Sequence, residues 1–194
     1  MDSGLKRIRK QAFSNGFILG AVLLIADILI LYALAYSKSV SLIFFSYLLV
    51  VFIIPLTAAI ILIRHLRKKI GGYWNLRQAT SGIFIIFISA YLISSAGSFL
   101  FIQYMKPDIM ADAKRNSVNV FGNFFEKIDA DPDEADKLIE SVETQFDSMS
   151  KSSAGSVFSN LLSSIIILFV AALIFGAIFK REEPVLLNSN TPES

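Results

Sequence analysis

The chain contains no cysteine and one histidine among its 194 residues. The absence of cysteine excludes disulfides, thiolate nucleophiles and cysteine-ligated metal sites. The chain also lacks a Gly-x-Ser-x-Gly elbow, a phosphate-binding Gly-Lys-Ser/Thr loop and a His-Glu-x-x-His motif. We therefore expect a protein that is not an enzyme and that needs no cofactor and no metal ion. The histidine, His65, stands beside Arg64 and is expected to be an interfacial residue.

Charge is scarce, because Asp, Glu, Lys and Arg make up 18% of the chain against 54% hydrophobic residues, with a mean hydropathy of +0.60. About 20 consecutive apolar residues suffice to cross the ~30 Å hydrocarbon core of a bilayer. Four segments reach that length: Phe17–Tyr36, Leu42–Ile63, Gly82–Gln103 and Val157–Phe179. The sequence therefore predicts an all-α polytopic membrane protein with four transmembrane helices, with a kink near Pro55 in the second.

Lys and Arg are concentrated at one set of span ends, which predicts the orientation. They occupy the N-terminal segment (Lys6 to Lys10), the second connection (Arg64 to Arg77) and Lys180-Arg181 after the fourth span. All three regions fall on one side of a four-span topology, and the positive-inside rule assigns that side to the cytoplasm. Both termini are then cytoplasmic. A cleaved signal peptide ending near Ala33-Leu34-Ala35 is an alternative for the first span, but Asp27 and the length of the apolar segment disfavour it.

The hydrophilic residues form one block of opposite charge, residues 105–156, with eleven acids and six bases, a net charge of −5. Apolar residues recur at helical spacing from Ile109 to Ile128 and again from Ala135 to Met149. Asp131 is the expected N-cap of the second helix, with Pro132 at its first position. This organisation predicts membrane helices 1–3 with a basic connection in residues 1–104, an extracytoplasmic helical hairpin in 105–156, the fourth membrane helix in 157–181 and a disordered cytoplasmic tail in 182–194. Ser150–Ser156 is predicted to be the linker that returns the chain to the membrane.

Short motifs along almost the whole chain support a family resemblance. They are Lys69-Ile70-Gly71-Gly72-Tyr73 before the third span, Tyr104-Met105-Lys106-Pro107-Asp108 after it, and Ala177-Ile178-Phe179-Lys180-Arg181 at the end of the fourth. In these the chain resembles the bacterial inner-membrane domain-of-unknown-function family 4199. The resemblance implies four spans and a location in the bacterial inner membrane. It implies no activity, ligand or catalytic residue.

Asp27 is the candidate intramembrane polar residue. A carboxylate at mid-bilayer costs about 2.5 to 3.5 kcal/mol on insertion scales, so it should face the interior and find a partner. One interpretation is a neutral carboxyl that ties helices together through Ser46, Ser89, Ser94 or Ser164; the other is a proton- or cation-responsive site. Gly16 and Gly20 precede Asp27 on the same helical face and permit close approach of another helix, including self-association.

Small and hydroxyl residues also recur in the third span, where Ser94, Gly97 and Ser98 are predicted helix-packing residues. A polar cavity for a small solute, lined by these residues and by serines of the fourth span, is the alternative interpretation.

The connection between the second and third spans is predicted to contact lipid headgroups. Basic residues near the surface attract anionic lipids, and Tyr and Trp collect at this depth. The candidate residues are Arg64, Arg67, Lys68, Lys69, Tyr73 and Trp74. Nucleic acid is not an expected partner, because so short a connection provides no folded basic surface. Asn75 and Gln78 are the predicted capping box of the third span.

Asp129, Asp131, Asp133 and Glu140 fall at the spacing of a calcium loop, but Glu134 stands where the loop needs glycine. Because acids also favour helix N-termini, no metal is required to explain them. The sequence favours a non-enzymatic interaction or accessory protein, with membrane lipids and either a homo-oligomer or a membrane protein held through the hairpin as partners. A small-solute or proton-coupled transporter using Asp27 is the alternative.

Overall fold

A computed structural model describes the backbone of residues 2–150 and 154–181 and the side chains of residues 8–149 and 161–181. The predicted disordered tail, 182–194, lies outside the described residues. The described elements are helices, joined at one point by an isolated β-bridge between Trp74 and Arg181. The helices are α1 (Asp2–Tyr36), α2 (Val40–Tyr47), α3 (Ile54–Lys69), α4 (Leu76–Leu100), α5 (Ile109–Lys127), α6 (Pro132–Ser150) and α7 (Ala154–Phe179), with π-helical turns at Leu48–Ile53 and Phe101–Met105.

Four helical segments are long and apolar enough to cross a membrane, which confirms the predicted all-α, four-span fold class. They are span 1 (Ile8–Tyr36), span 2 (Val40–Lys69), span 3 (Leu76–Met105) and span 4 (Leu161–Phe179). By length and composition the chain is therefore a multi-pass membrane protein. Span 2 continues through a π-helical turn directly before α3, whose second residue is Pro55. A π turn widens the helix where the proline ring would crowd the preceding turn.

The spans form a row in which span 1 and span 3 are the central pair. Span 2 packs mainly on span 1, and span 4 packs mainly on span 3. Spans 2 and 4 come together at one end, where the Arg64 guanidinium lies 5.9 Å from the centroid of the Phe179 ring. We call this the basic end, because Arg67, Lys68 and Lys69 occupy the last turn of α3 there. The main core cluster, which includes Ile63, Leu66, Trp74 and Ile83, lies at this end.

The predicted helix ends agree with the structure where capping chemistry defines them. Asn75 and Gln78 form both hydrogen bonds of a capping box, and Gly71 and Gly72 have φ angles of +109° and +87° in the turn before it. These φ values are accessible to glycine at little steric cost. Asp131 Oδ1 accepts a hydrogen bond from the Asp133 amide, 2.9 Å away, at the start of α6.

The predicted linker, Ser150–Ser156, is wrong at its C-terminal end. The helix α7 already begins at Ala154, inside that segment. A first helical turn tolerates Ser and Gly, since its amide groups have no intrahelical partners in any sequence.

The hairpin of α5 and α6 is docked on the opposite end of the row, which we call the hairpin end. One face of α5, formed by Ile109, Ala113, Ser117 and Val120, is buried. Ile109 and Ala113 pack on Ala35 and Phe101, with Phe146 of α6 covering the same cluster. The Asn116 amide donates to the carbonyls of Leu34 and Ser37, at 2.9 and 2.7 Å, and so satisfies carbonyls at the C-terminus of α1 that have no helical partner.

Candidate functional sites

Asp27 is held between the two central spans by two serine hydroxyls. Ser94 Oγ donates to Asp27 Oδ2 at 2.5 Å, and Ser98 Oγ donates to the same oxygen at 3.0 Å. Ser94 and Ser98 are four residues apart and therefore lie on one face of α4, one turn from each other. The carboxyl is partly buried. Of the four serines considered as partners of Asp27, Ser94 is the one that donates a hydrogen bond to its carboxyl. The geometry supports an interhelical tie.

Gly16, Gly20 and Gly97 lie where span 1 and span 3 approach most closely. A Cβ added at Gly16 would lie 2.8 Å from the Ile86 carbonyl oxygen, and one at Gly20 would lie 2.8 Å from Ile93 Cβ. Gly97 faces the Leu24 side chain of span 1, 2.6 Å from an added Cβ. The glycine face is therefore covered by span 3 of the same chain. Self-association through Gly16 and Gly20 would require span 3 to leave this face, and a homo-oligomer stays a prediction.

Asp27 lines neither of two clefts found on the described part of the chain. One of about 110 Å³ separates spans 1 and 2 and is lined by apolar residues such as Ile25, Ala26 and Val50. The other lies between α5 and α6. Ser164 of the fourth span hydrogen-bonds Tyr91 OH at 3.1 Å. The hydroxyls of Ser94, Ser98 and Ser164 thus join helices, and neither cleft supports the predicted polar cavity for a solute.

We expect Asp27→Asn to fold with nearly unchanged stability. The amide is close in size to the carboxyl, and its oxygen can still accept from Ser94 and Ser98. The double variant Ser94→Ala/Ser98→Ala should be less stable than Asp27→Asn by about 1 to 3 kcal/mol, because it leaves Asp27 without its donors. Thermal unfolding in detergent measures both. A reversed order, with Asp27→Asn the less stable protein, would mean that Asp27 requires its ionisable group.

Asn15 is a site residue that the sequence analysis missed. It is 1% exposed, and its Nδ2 donates to the Leu62 carbonyl at 2.9 Å. Its Oδ1 lies 3.2 Å from His65 Nδ1, and this amide oxygen accepts a hydrogen bond from the tautomer that carries hydrogen on Nδ1. His65 therefore joins span 2 to span 1. The sequence predicted only an interfacial position for it and no contact with another span. The available signal was an Asn directly before Gly16 within an apolar helix. Gly176 was also missed, although its added Cβ would lie 2.5 Å from Thr80 Oγ1.

Trp74 closes the basic end of the bundle and is not exposed to lipid. Its side chain is 2% exposed, and its indole Nε1 donates to the Phe179 carbonyl at 2.7 Å. Its backbone exchanges two hydrogen bonds with Arg181, at 2.8 and 3.1 Å. The assignment of Trp74 to the headgroup region is therefore wrong. The ring is drawn inward because the last carbonyls of α7 need donors.

The other predicted headgroup residues remain at the surface of the basic end. Arg64, Lys68 and Lys69 are exposed, and Arg67 is partly exposed. Tyr73 is 40% exposed, and the Arg181 guanidinium lies 5.5 Å from the centroid of its ring, within cation–π range. Their contact with lipid headgroups stays a prediction.

The hairpin presents both paired charges and uncovered apolar side chains. Lys114 Nζ lies 2.7 Å from Asp147 Oδ1 and joins α5 to α6. This hydrogen bond raises the pKa of Lys114. Phe124, Ile128 and Leu138 are 38%, 55% and 53% exposed. Within the described ranges, no three His, Cys, Asp or Glu side chains converge as metal ligands, so the calcium-loop spacing produces no such cluster in the fold.

Comparison with known proteins places this arrangement in a family. No curated protein and no solved structure matches the chain. A family described as "Protein of unknown function (DUF4199)" matches residues 14–181, a range that begins just before Asn15 and Gly16 and ends at Arg181. The match covers the hairpin, spans 2 to 4 and span 1 from residue 14 onward, and it confirms the resemblance found in the sequence. The chain belongs to the family of proteins of unknown function DUF4199.

Proposed function

We propose that this protein is a non-enzymatic interaction or accessory protein of the bacterial inner membrane, and that the hairpin is its contact surface. The observation that carries the proposal is a hairpin docked on the spans with apolar side chains left uncovered. α5 is buried on one face by α1, while Phe124, Ile128 and Leu138 stay exposed outside the spans. Exposed apolar side chains outside the lipid are typical of protein contact surfaces.

The membrane spans support the same role. They form a row in which Asp27 is occupied by two serine donors, and the glycines that allow close approach face span 3. Such a scaffold holds the hairpin at one end of the row and the basic residues at the other. The positive-inside rule supports cytoplasmic termini and an extracytoplasmic hairpin.

A topology experiment tests the orientation. A reporter fused after Ser194 should be active in the cytoplasm, and a tag inserted near Asp136 should be accessible from outside the inner membrane. The opposite result for either position overturns the orientation and the role built on it.

Site-specific photocrosslinking in native membranes tests the role. A benzophenone amino acid at Phe124, Ile128 or Leu138 should give a discrete adduct of higher mass. The same group at Glu140, an exposed polar position of α6, serves as the matched control and should give little adduct. Phe124→Ala/Leu138→Ala should reduce crosslinking from Ile128. If every hairpin position yields only monomer, the interaction role is wrong.

A further inference from the structure

A groove lies near the turn of the hairpin, beyond the part of α5 that packs on the spans. Its volume is about 400 Å³, and it runs between the last turns of α5 and the first turns of α6. We call it the tip groove. Its apolar lining includes Phe125, Ala135 and Ile139, and its acidic lining is Glu126, Asp129 and Asp136. Because Phe125, Ala135 and Ile139 are only partly exposed and the three acids are exposed, the groove has an apolar floor and a negative rim.

We propose that the tip groove binds a short segment of a partner protein that carries lysine or arginine next to an apolar side chain. This inference rests on the proposed interaction role of the hairpin and names the chemistry of the partner. Lysine and arginine place a long apolar stem under a cationic head. The stem suits the floor of the groove and the head suits its rim. A cation can also lie over the Phe125 ring.

Three observations favour this occupant over others. Glu126, Asp129 and Asp136 belong to no ion pair within the part of the chain that the structure describes, so their charge is available. They do not converge as metal ligands in that part either, which disfavours a compact divalent ion. A second hairpin would bring a net charge of −5 (six bases against eleven acids) against the same acidic rim. Charge complementarity therefore favours a different, basic chain.

Gly122 keeps the groove open at a position where the fold does not require glycine. A Cβ there would meet Ile139 Cδ1 at 3.9 Å, an ordinary contact. Glycine inside a helix costs stability relative to alanine. The missing side chain leaves room between α5 and α6, and that room is part of the groove. Gly122→Leu should fill it without removing any charge.

The experiment uses the full chain in phosphatidylcholine nanodiscs and the fluorescent peptide acetyl-Gly-Lys-Leu-Lys-Phe-Gly-amide. A control peptide, in which both lysines are replaced by glutamate, measures adsorption that depends on the apolar residues alone. We expect the lysine peptide to bind, and E126Q/D129N/D136N to weaken binding about tenfold, since each exposed charge pair contributes modestly. Asparagine suits position 129, where φ is +53°, because Asn tolerates the left-handed region.

The control triple D133N/E134Q/E140Q removes the same charge from hairpin positions that do not line the groove, and it should leave affinity within about twofold. Gly122→Leu should abolish binding with all acids intact, while circular dichroism shows an unchanged helix content. Absence of binding to the wild-type protein overturns the inference. The inference is also overturned if the two triple variants weaken peptide binding equally, or if Gly122→Leu binds the peptide with full affinity.

The two proposals fail separately. Crosslinks from Ile128 in native membranes without peptide affinity would leave the interaction role standing and refute the tip groove. Peptide affinity in nanodiscs without any hairpin crosslink would refute the interaction role.

Discussion

Gly16→Ala should lower the stability of the protein by about 1 to 3 kcal/mol, the usual cost of overpacking a tight contact. The added Cβ would lie 1.8 Å from Ser89 Oγ and 2.8 Å from the Ile86 carbonyl oxygen. The serine hydroxyl can rotate, although it then gives up its bonds to the carbonyls of Ile85 and Ile86. The carbonyl belongs to the helix backbone and cannot move alone. Spans 1 and 3 must therefore separate.

Unfolding by heat or by sodium dodecyl sulfate, followed by circular dichroism, measures this effect. Gly122→Ala is the matched control, because its Cβ has room beside Ile139 and alanine is the better helix former. It should be as stable as the wild type or slightly more stable. Adding Ser89→Gly to Gly16→Ala should restore part of the loss, since the Ile86 contact remains. A Gly16→Ala protein with wild-type stability would show that the two spans do not pack as described.

Trp74→Ala should be the most destabilising single change at the basic end, by about 3 to 5 kcal/mol. The substitution empties a space in the core cluster that contains Leu66 and Ile83. It also leaves the Phe179 carbonyl without its indole donor. Both losses act where α4 and α7 meet. The end of span 4 should therefore come away from the connection before α4.

Two variants separate the contributions of ring and donor. Trp74→Phe keeps an aromatic ring and loses the N–H group, and it should cost about 1 to 3 kcal/mol, the range for an unsatisfied buried acceptor. Tyr73→Ala, at the exposed neighbouring ring, should cost about 1 kcal/mol or less through loss of the Arg181 contact. Thermal unfolding in detergent measures the stability of each variant. Equal effects of Trp74→Ala and Tyr73→Ala would contradict the buried position of the indole.

Features governed by short stretches of chain were predictable. Span number follows from the length of each apolar segment, which is read without knowing its neighbours. The start of α4 at Leu76 and of α6 at Pro132 follow from Asn75 and Asp131, whose side chains cap helices through bonds to amides two or three residues on. The amphipathic spacing likewise predicted α5 and α6. Each of these depends on contacts within about one helical turn.

The candidate site was only partly predictable. Asp27 stood out because an acid inside an apolar helix needs a partner, and Ser94 was one of four candidates. The glycines were recognised as a packing face, but the sequence did not say which helix would cover them. Asn15 and His65 lie 50 residues apart, and neither residue alone indicates the other. The prediction for Trp74 relied on the general tendency of tryptophan to lie among lipid headgroups. In the structure the indole is buried instead, because it donates a hydrogen bond to the Phe179 carbonyl at the end of α7.

The amino-acid sequence by itself determined that this chain has four membrane helices and an acidic two-helix insertion, because hydrophobic length and helix capping are local properties. The tertiary structure alone decided that Gly16 and Gly20 face span 3, that Trp74 is buried against Phe179, and that the tip groove stays open beside Gly122. Those outcomes depend on how helices distant in sequence rotate and align against one another. In lipid, the rotation and alignment of helices depend on close packing and interhelical hydrogen bonds. Each such contact needs two helices, so the sequence of one helix alone does not predict it.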